Sequence, residues 1–172
     1  MDESESSLLE YLDLSQLTCL NEAGQHNVKS ILASKVRNST SSFLESDVDE
    51  QLLINITFNQ TVRIRAVAIQ SPTVVQAPRR VKLYINSPSL GFDNIEEGAS
   101  KIAQEIELSE DQVSEGKRVP LRYVRFQAVN SLHIFVESNH GDDEHTCIGA
   151  IDVFGFPVLG ARDLSGLKRQ GD

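Results

Sequence analysis

The 172-residue chain is 40% hydrophobic, enough for one domain with a sizeable buried core and too short for two comfortable ones. A net charge of −9 opposes the long-range attraction to phosphate backbones on which nucleic-acid binding depends. No apolar stretch approaches the roughly 18 residues that span a bilayer, and the acidic start "MDESESS" is the reverse of a signal peptide, so a soluble intracellular protein with neither nucleic acid nor membrane as partner is expected.

Residues 1–7 read as a disordered leader and 8–160 as one domain. Ser7 is placed to cap a short helical segment, "LLEYLDL". Cys19 and Cys147 lie too far apart for a CxxC pair or a zinc knuckle and are expected to be ordinary thiols. "FLESDVDEQLLINITFNQ", residues 43–60, then sets Glu45, Asp47, Asp49 and Glu50 ahead of an alternating apolar run. Carboxylates this close could raise one another's pKa for acid/base work or chelate a hard cation. At the entrance to a strand they can equally be a solvated run.

The strongest periodicity along the chain is two. Leu52, Ile54, Ile56 and Phe58 share one face of a predicted strand, and Val81, Leu83 and Ile85 share a face of another. "VRIRAVAIQ", residues 62–70, begins with alternation and then turns apolar on both faces, as a central or bulged strand does. "LSEDQVSEG" at 108–116 fits one turn of helix. Val124 and Phe126, then Leu132, Ile134 and Val136, repeat the alternation on either side of "VNS", which predicts a hairpin. Ile54, Ile56, Val124, Phe126, Ile134 and Val136 are accordingly expected to face inward. "TCIGAIDVFG" at 146–155 supplies a last strand, ended by glycine and Pro157, and "GARDLSGLKRQGD" from Gly160 reads as a mobile tail. Several short strands joined by polar turns predict an all-β, antiparallel sandwich or barrel.

Charge is segregated: residues 1–58, 93–115 and 137–161 are acidic bands, whereas 59–92 and 116–136 are basic. The basic bands coincide with predicted strands, where alternation makes an outward face the simplest origin and an interaction surface the other. "HGDDEH", residues 140–145, is the most metal-like string, but histidines five apart do not share a strand face, and Gly141 with two aspartates suits a hairpin turn. His26 and His133 have no nearby partner for a triad, and neither a GxSxG elbow nor a phosphate cradle is present. Sequons at Asn38, Asn55 and Asn59 raise a second class, a carbohydrate- or small-ligand-binding jelly roll. The absence of tryptophan, whose flat face commonly packs on sugars, weighs against it.

The strings "CLNE" at 19–22, "LESDVDEQLLINITFNQ" at 44–60, "RRVKLYIN" at 79–86, "VPLRYVRFQAVNSLHIFVESN" at 119–139 and "FGFPV" at 154–158 together resemble the PITH domain, the C-terminal domain of proteasome-interacting thioredoxins. The resemblance covers roughly residues 8–169 and implies a β-sandwich jelly roll similar to galactose-binding domains, without implying sugar binding. It also implies a non-enzymatic module, without cofactor or metal, that docks on the 26S proteasome regulatory particle in cytoplasm and nucleus. Fused relatives carry a thioredoxin domain in cis. The chain has no "WCGPC"-type site, so their redox chemistry does not carry over. Met1 and the "DESES" leader suit a stand-alone gene product, an excised C-terminal half being the alternative. In this light "ESDVDEQ" is a family signature loop in which Asp and Ser shape the backbone. The docking candidates are Leu164, Leu167, Lys168 and Arg169 in the tail, 161–172, followed by Arg79, Arg80 and Arg122 in the basic bands.

Overall fold

The fold is given by a computed structural model that describes residues 5–98 and 101–158. Its strands are β1 (Ser6–Ser7), β2 (Thr18–Leu20), β3 (Leu44–Glu45), β4 (Leu52–Gln70), β5 (Pro78–Ile85), β6 (Gln104–Glu107), β7 (Val119–Pro120), β8 (Val129–Asn139), β9 (Cys147–Ile148) and β10 (Ala150–Pro157), all paired antiparallel. Three short helices, α1 (Lys29–Leu32), α2 (Phe92–Glu96) and α3 (Glu110–Glu115), sit between strands. α3 is the turn of helix expected at 108–116: Ser109 Oγ accepts from Gln112 N–H, Gln112 Oε1 accepts from Ser109 N–H, and Gly116 closes it at φ 66°.

The 19-residue strand β4 organises the molecule. Its first half pairs with β8 and β2, its second half with β10 and β7. The sheet path runs β1-β10-β4-β8-β5-β6. Leu52, Ile54, Ile56, Val62 and Ile64 of β4 join Val81, Leu83, Leu132, Ile134, Val136, Ile151 and Val153 in one core. Leu53, Tyr84 and Phe135 point the other way, into a second cluster closed by Leu90, Phe92 and Ile95 around α2.

The pairing of β4 is irregular at two places. Its register shifts against β8 between Thr57 and Val62, and against β10 between Phe154 and Gly155. Phe154 opposes Ala66 while Gly155 opposes Ile64, leaving Arg65 as an extra residue. The core side of β4 steps from Ile64 to Val67 across this bulge, so the both-faces-apolar run at 62–70 is explained. A Cβ at Gly155 would collide with the Arg63 carbonyl oxygen. Only glycine admits that approach.

The hairpin predicted over 123–136 does not form. Tyr123–Arg125 is a 3₁₀ turn, closed by Phe126 N–H donating to Tyr123 O, and "VNS" is the start of β8. Val124 is therefore 66% exposed rather than inward, whereas Ile54, Ile56, Phe126, Ile134 and Val136 are fully buried. Ser7 does not open a helix as expected: it lies in β1, opposite Phe154, and is followed by a 3₁₀ turn at Leu9–Tyr11. Ser6 and Ser7 pair with Gly155 and Phe154, so the sheet edge begins within the stretch expected as leader. The final strand continues through Gly155 to Pro157. The tail, with Leu164, Leu167, Lys168 and Arg169, lies outside the described residues.

Candidate functional site

The acidic string ahead of β4 is held as a shaped loop. Asn21, at φ 71°, donates from Nδ2 to Asp49 Oδ1 (2.8 Å) and Gln51 O (2.7 Å), and its Oδ1 accepts from Val48 N–H. Ser46 is buried and exchanges bonds with Thr146, whose Oγ1 donates to Glu50 O at 2.6 Å. Asp47 and Asp49 are exposed, Asp49 Oδ1 also accepting from Gln51 N–H. These residues bend the chain into the strand; the carboxylates do not converge. The "HGDDEH" segment is the facing turn, with Asp142 at φ 54°, and Asn139 bonds Asp143 O and His145 O to close it. The Asp143 carboxylate is held below its ordinary pKa by the His145 N–H and Gln76. Among the described residues no three His, Cys, Asp or Glu side chains are grouped as a metal site.

His133 is bonded by groups from three elements. Its Nε2 accepts from Ser131 Oγ at 2.9 Å and from Ser87 N–H at 3.1 Å, while Nδ1 faces Asn55 Oδ1 at 2.7 Å. The Ser-His-Asn order is that of a nucleophilic triad. Its electrostatics are not. Burial pushes the imidazole pKa down to about 4, Ser87 N–H occupies the lone pair a base would use, and an asparagine brings no charge to steady an imidazolium. The arrangement pins β4, β8 and the loop after β5 together. It also takes up Asn55 Oδ1, while Asn55 Nδ2 donates to Thr18 Oγ1 at 3.2 Å, and Asn38 Nδ2 donates to Ser42 O and Gly149 O, so the amides of two of the three sequons are engaged within the fold. Cys19 and Cys147 are buried, and burial raises both thiols, Cys147 to about 12; neither is a thiolate at neutral pH.

The basic bands resolve into two different surfaces. Arg79 and Arg80, on β5, face β6: Arg79 Nε is 3.2 Å from Glu107 Oε2, and Arg80 reaches Glu107 at 3.3 Å and Glu105 at 3.9 Å. Arg122 is exposed beside the 3₁₀ turn, its N–H bonded to Gln104 Oε1. The second surface is one that the sequence pattern did not assemble. On the outer face of β4 and β10, the Arg65 guanidinium lies 4.8 Å from the Tyr123 ring centre and 5.5 Å from that of Phe156, with Arg63 5.9 Å from Phe156. Arg118 stacks 3.9 Å over Phe154, whose ring Arg37 also approaches at 5.9 Å. Arg37 Nε stands 3.3 Å from buried Asp152 Oδ2, a pair made by charge rather than by an aligned hydrogen bond. Arg118 pairs with Glu5 at 3.5 Å. Among the described residues no carboxylate is within ion-pair distance of Arg63 or Arg65.

Comparison with known proteins agrees with the architecture. A carbohydrate-binding module of family 32 from Clostridium perfringens NanJ superposes with a TM-score of 0.63 at 9% identity, covering 87% of this chain and 98% of that one. A two-module fragment of Clostridium perfringens ZmpB gives 0.65 at 10% identity, covering 93% of this chain and 38% of that one. Such likenesses give the jelly-roll fold alone. In sequence, the chain is 41% identical over 157 residues to thioredoxin-like protein 1 of Schizosaccharomyces pombe, covering 89% of this chain and 52% of that protein. It is 32% identical over 133 residues to human PITH domain-containing protein 1, covering 77% of this chain and 61% of that one. The chain thus spans about half to two thirds of the length of these relatives. The PITH domain model matches residues 1–171, and the chain belongs to the PITH domain family.

Proposed function

We propose that the chain is a non-enzymatic protein-interaction module that docks on the regulatory particle of the 26S proteasome. The match of the PITH model to residues 1–171 carries the reading. The buried, protonated thiols of Cys19 and Cys147 and the weakly basic His133 support a binding role over a chemical one. With that partner the protein works in cytoplasm and nucleus, and the tail, through Leu164, Leu167, Lys168 and Arg169, contributes a second contact.

The test is affinity purification of the tagged full chain from cell lysate, with mass spectrometry of what co-elutes. Regulatory-particle subunits are expected, and deleting residues 161–172 is expected to weaken their recovery several-fold while leaving the melting temperature unchanged. The fold likeness to modules crystallised with galactose and N-acetylgalactosamine favours a second reading, a sugar-binding jelly roll. A positive glycan array with no proteasome subunits recovered would put that reading first.

A further inference from the structure

We infer that the outer face of β4 and β10, built from Arg63, Arg65, Tyr123, Val124 and Phe156, is a docking surface for an acidic, extended peptide segment of a partner protein. The inference rests on the reading of the chain as an interaction module and names the chemistry that the module recognises.

Three observations converge on this face. Arg63 and Arg65 alternate with fully buried Ile64, so both stand on the outer side of β4. Arg65 lies near the rings of Tyr123 and Phe156 and Arg63 near that of Phe156, contacts that restrict the guanidinium before a carboxylate arrives, so less rotamer entropy is lost on binding. Beside them Tyr123 is 52% and Val124 66% exposed. Arginine and tyrosine are the residue types enriched in interface hot spots.

Charge complementarity selects the occupant. A chain of net charge −9 offers no long-range attraction to any polyanion, peptide or nucleic acid. Within a Debye length of about 8 Å, however, the field on this face is set by local arginines. Arginine forks receive carboxylates bidentately, and exposed Val124, next to Tyr123 in the chain, offers apolar surface to the segment. Arg79 and Arg80 cannot serve in the same way, because Glu105 and Glu107 already hold them.

The test compares the full chain with R63Q/R65Q and with R79Q/R80Q, which remove the same formal charge from different faces. Each is titrated into a fluorescein-labelled oligoglutamate peptide with interspersed leucines, followed by anisotropy, with single-stranded oligo-dT as a second probe and thermal melts as a folding control. R63Q/R65Q is expected to weaken peptide binding at least about fivefold, close to 1 kcal/mol, and R79Q/R80Q to leave it within about twofold. The inference is overturned if the unmodified chain shows no saturable peptide binding, if the two variants bind alike, or if oligo-dT binds more tightly than the peptide. The same three proteins used as bait in lysate separate this from the docking reading. Discrimination on the peptide with no regulatory-particle subunits recovered rejects the proteasome as partner and keeps the face; equal recovery with all three baits and no discrimination on the peptide rejects the face alone.

Discussion

Two stretches of strand carry paired arginines, Arg79–Arg80 on β5 and Arg63 with Arg65 on β4, and the fold treats them in opposite ways. Beside β5 lies β6, which brings Glu105 and Glu107 within 3.2–3.9 Å. Beside the second half of β4 lies β10, which brings Phe154 and Phe156. The first pair is neutralised by its neighbour, the second propped up by it. A run of positive charge in a sequence therefore says little about charge available to a partner; the next strand in the sheet decides.

The comparison can be broken most severely from below. Phe126 is fully buried, and its carbonyl accepts from Ile64 N–H beneath the arginine face. Phe126→Ala is expected to cost about 3–5 kcal/mol, whereas Val124→Ala, two residues away and exposed, should stay within about 0.5 kcal/mol; urea denaturation of both separates them. Gly155→Val forces a side chain against the Arg63 carbonyl and so attacks the bulge beside the arginines. A loss on the order of 2–4 kcal/mol is expected, with the largest amide NMR shifts at residues 63–66.

The β5 side has its own weakness, since His133 pairs with Tyr84 across the sheet. Its folded pKa of about 4 lies below the ordinary 6.5, so the unfolded chain takes up the proton first. Its contribution to stability is whole above pH 6.5 and is lost as pH falls toward 4, by roughly 2–3 kcal/mol. Comparing unfolding midpoints at pH 7.5 and 4.5 for the native chain and His133→Gln should show a smaller drop in the variant. The smallest effect is expected from the arginines themselves. R79Q/R80Q removes exposed ion pairs and should cost at most about 1 kcal/mol, and R63Q/R65Q should lie in the same range, leaving binding as the property that distinguishes them.

Much of the fold was legible from alternation, because a half-buried strand repeats every two residues. Leu52, Ile54, Ile56 and Phe58 are buried as that pattern requires, as are Leu132, Ile134 and Val136. Residues 123–126 misled because a four-residue alternation is too short to tell a strand from a 3₁₀ turn. Only the bonds made elsewhere, Arg122 N–H to Gln104 and Leu121 N–H to Arg65 O, choose between them. The arginine–aromatic face was not legible at all. Arg37, Arg118 and Phe154 are distant in sequence, as are Arg65, Tyr123 and Phe156, and each group meets only through the strand pairing and the turn at 123–125. The Ser131–His133–Asn55 network was hidden for the same reason: Asn55 reaches His133 only through the β4–β8 pairing.

The glutamates that silence Arg79 and Arg80 have another consequence at the margin of the sheet. β6 ends the strand path, with Glu105 and Glu107 exposed on alternate positions, and at the opposite end β1 is only two residues long. An unpaired edge is a template on which a second copy can add a strand, and charge or brevity prevents it. A copy of β6 approaching β6 would set carboxylate against carboxylate, an arrangement that disfavours strand addition at this edge.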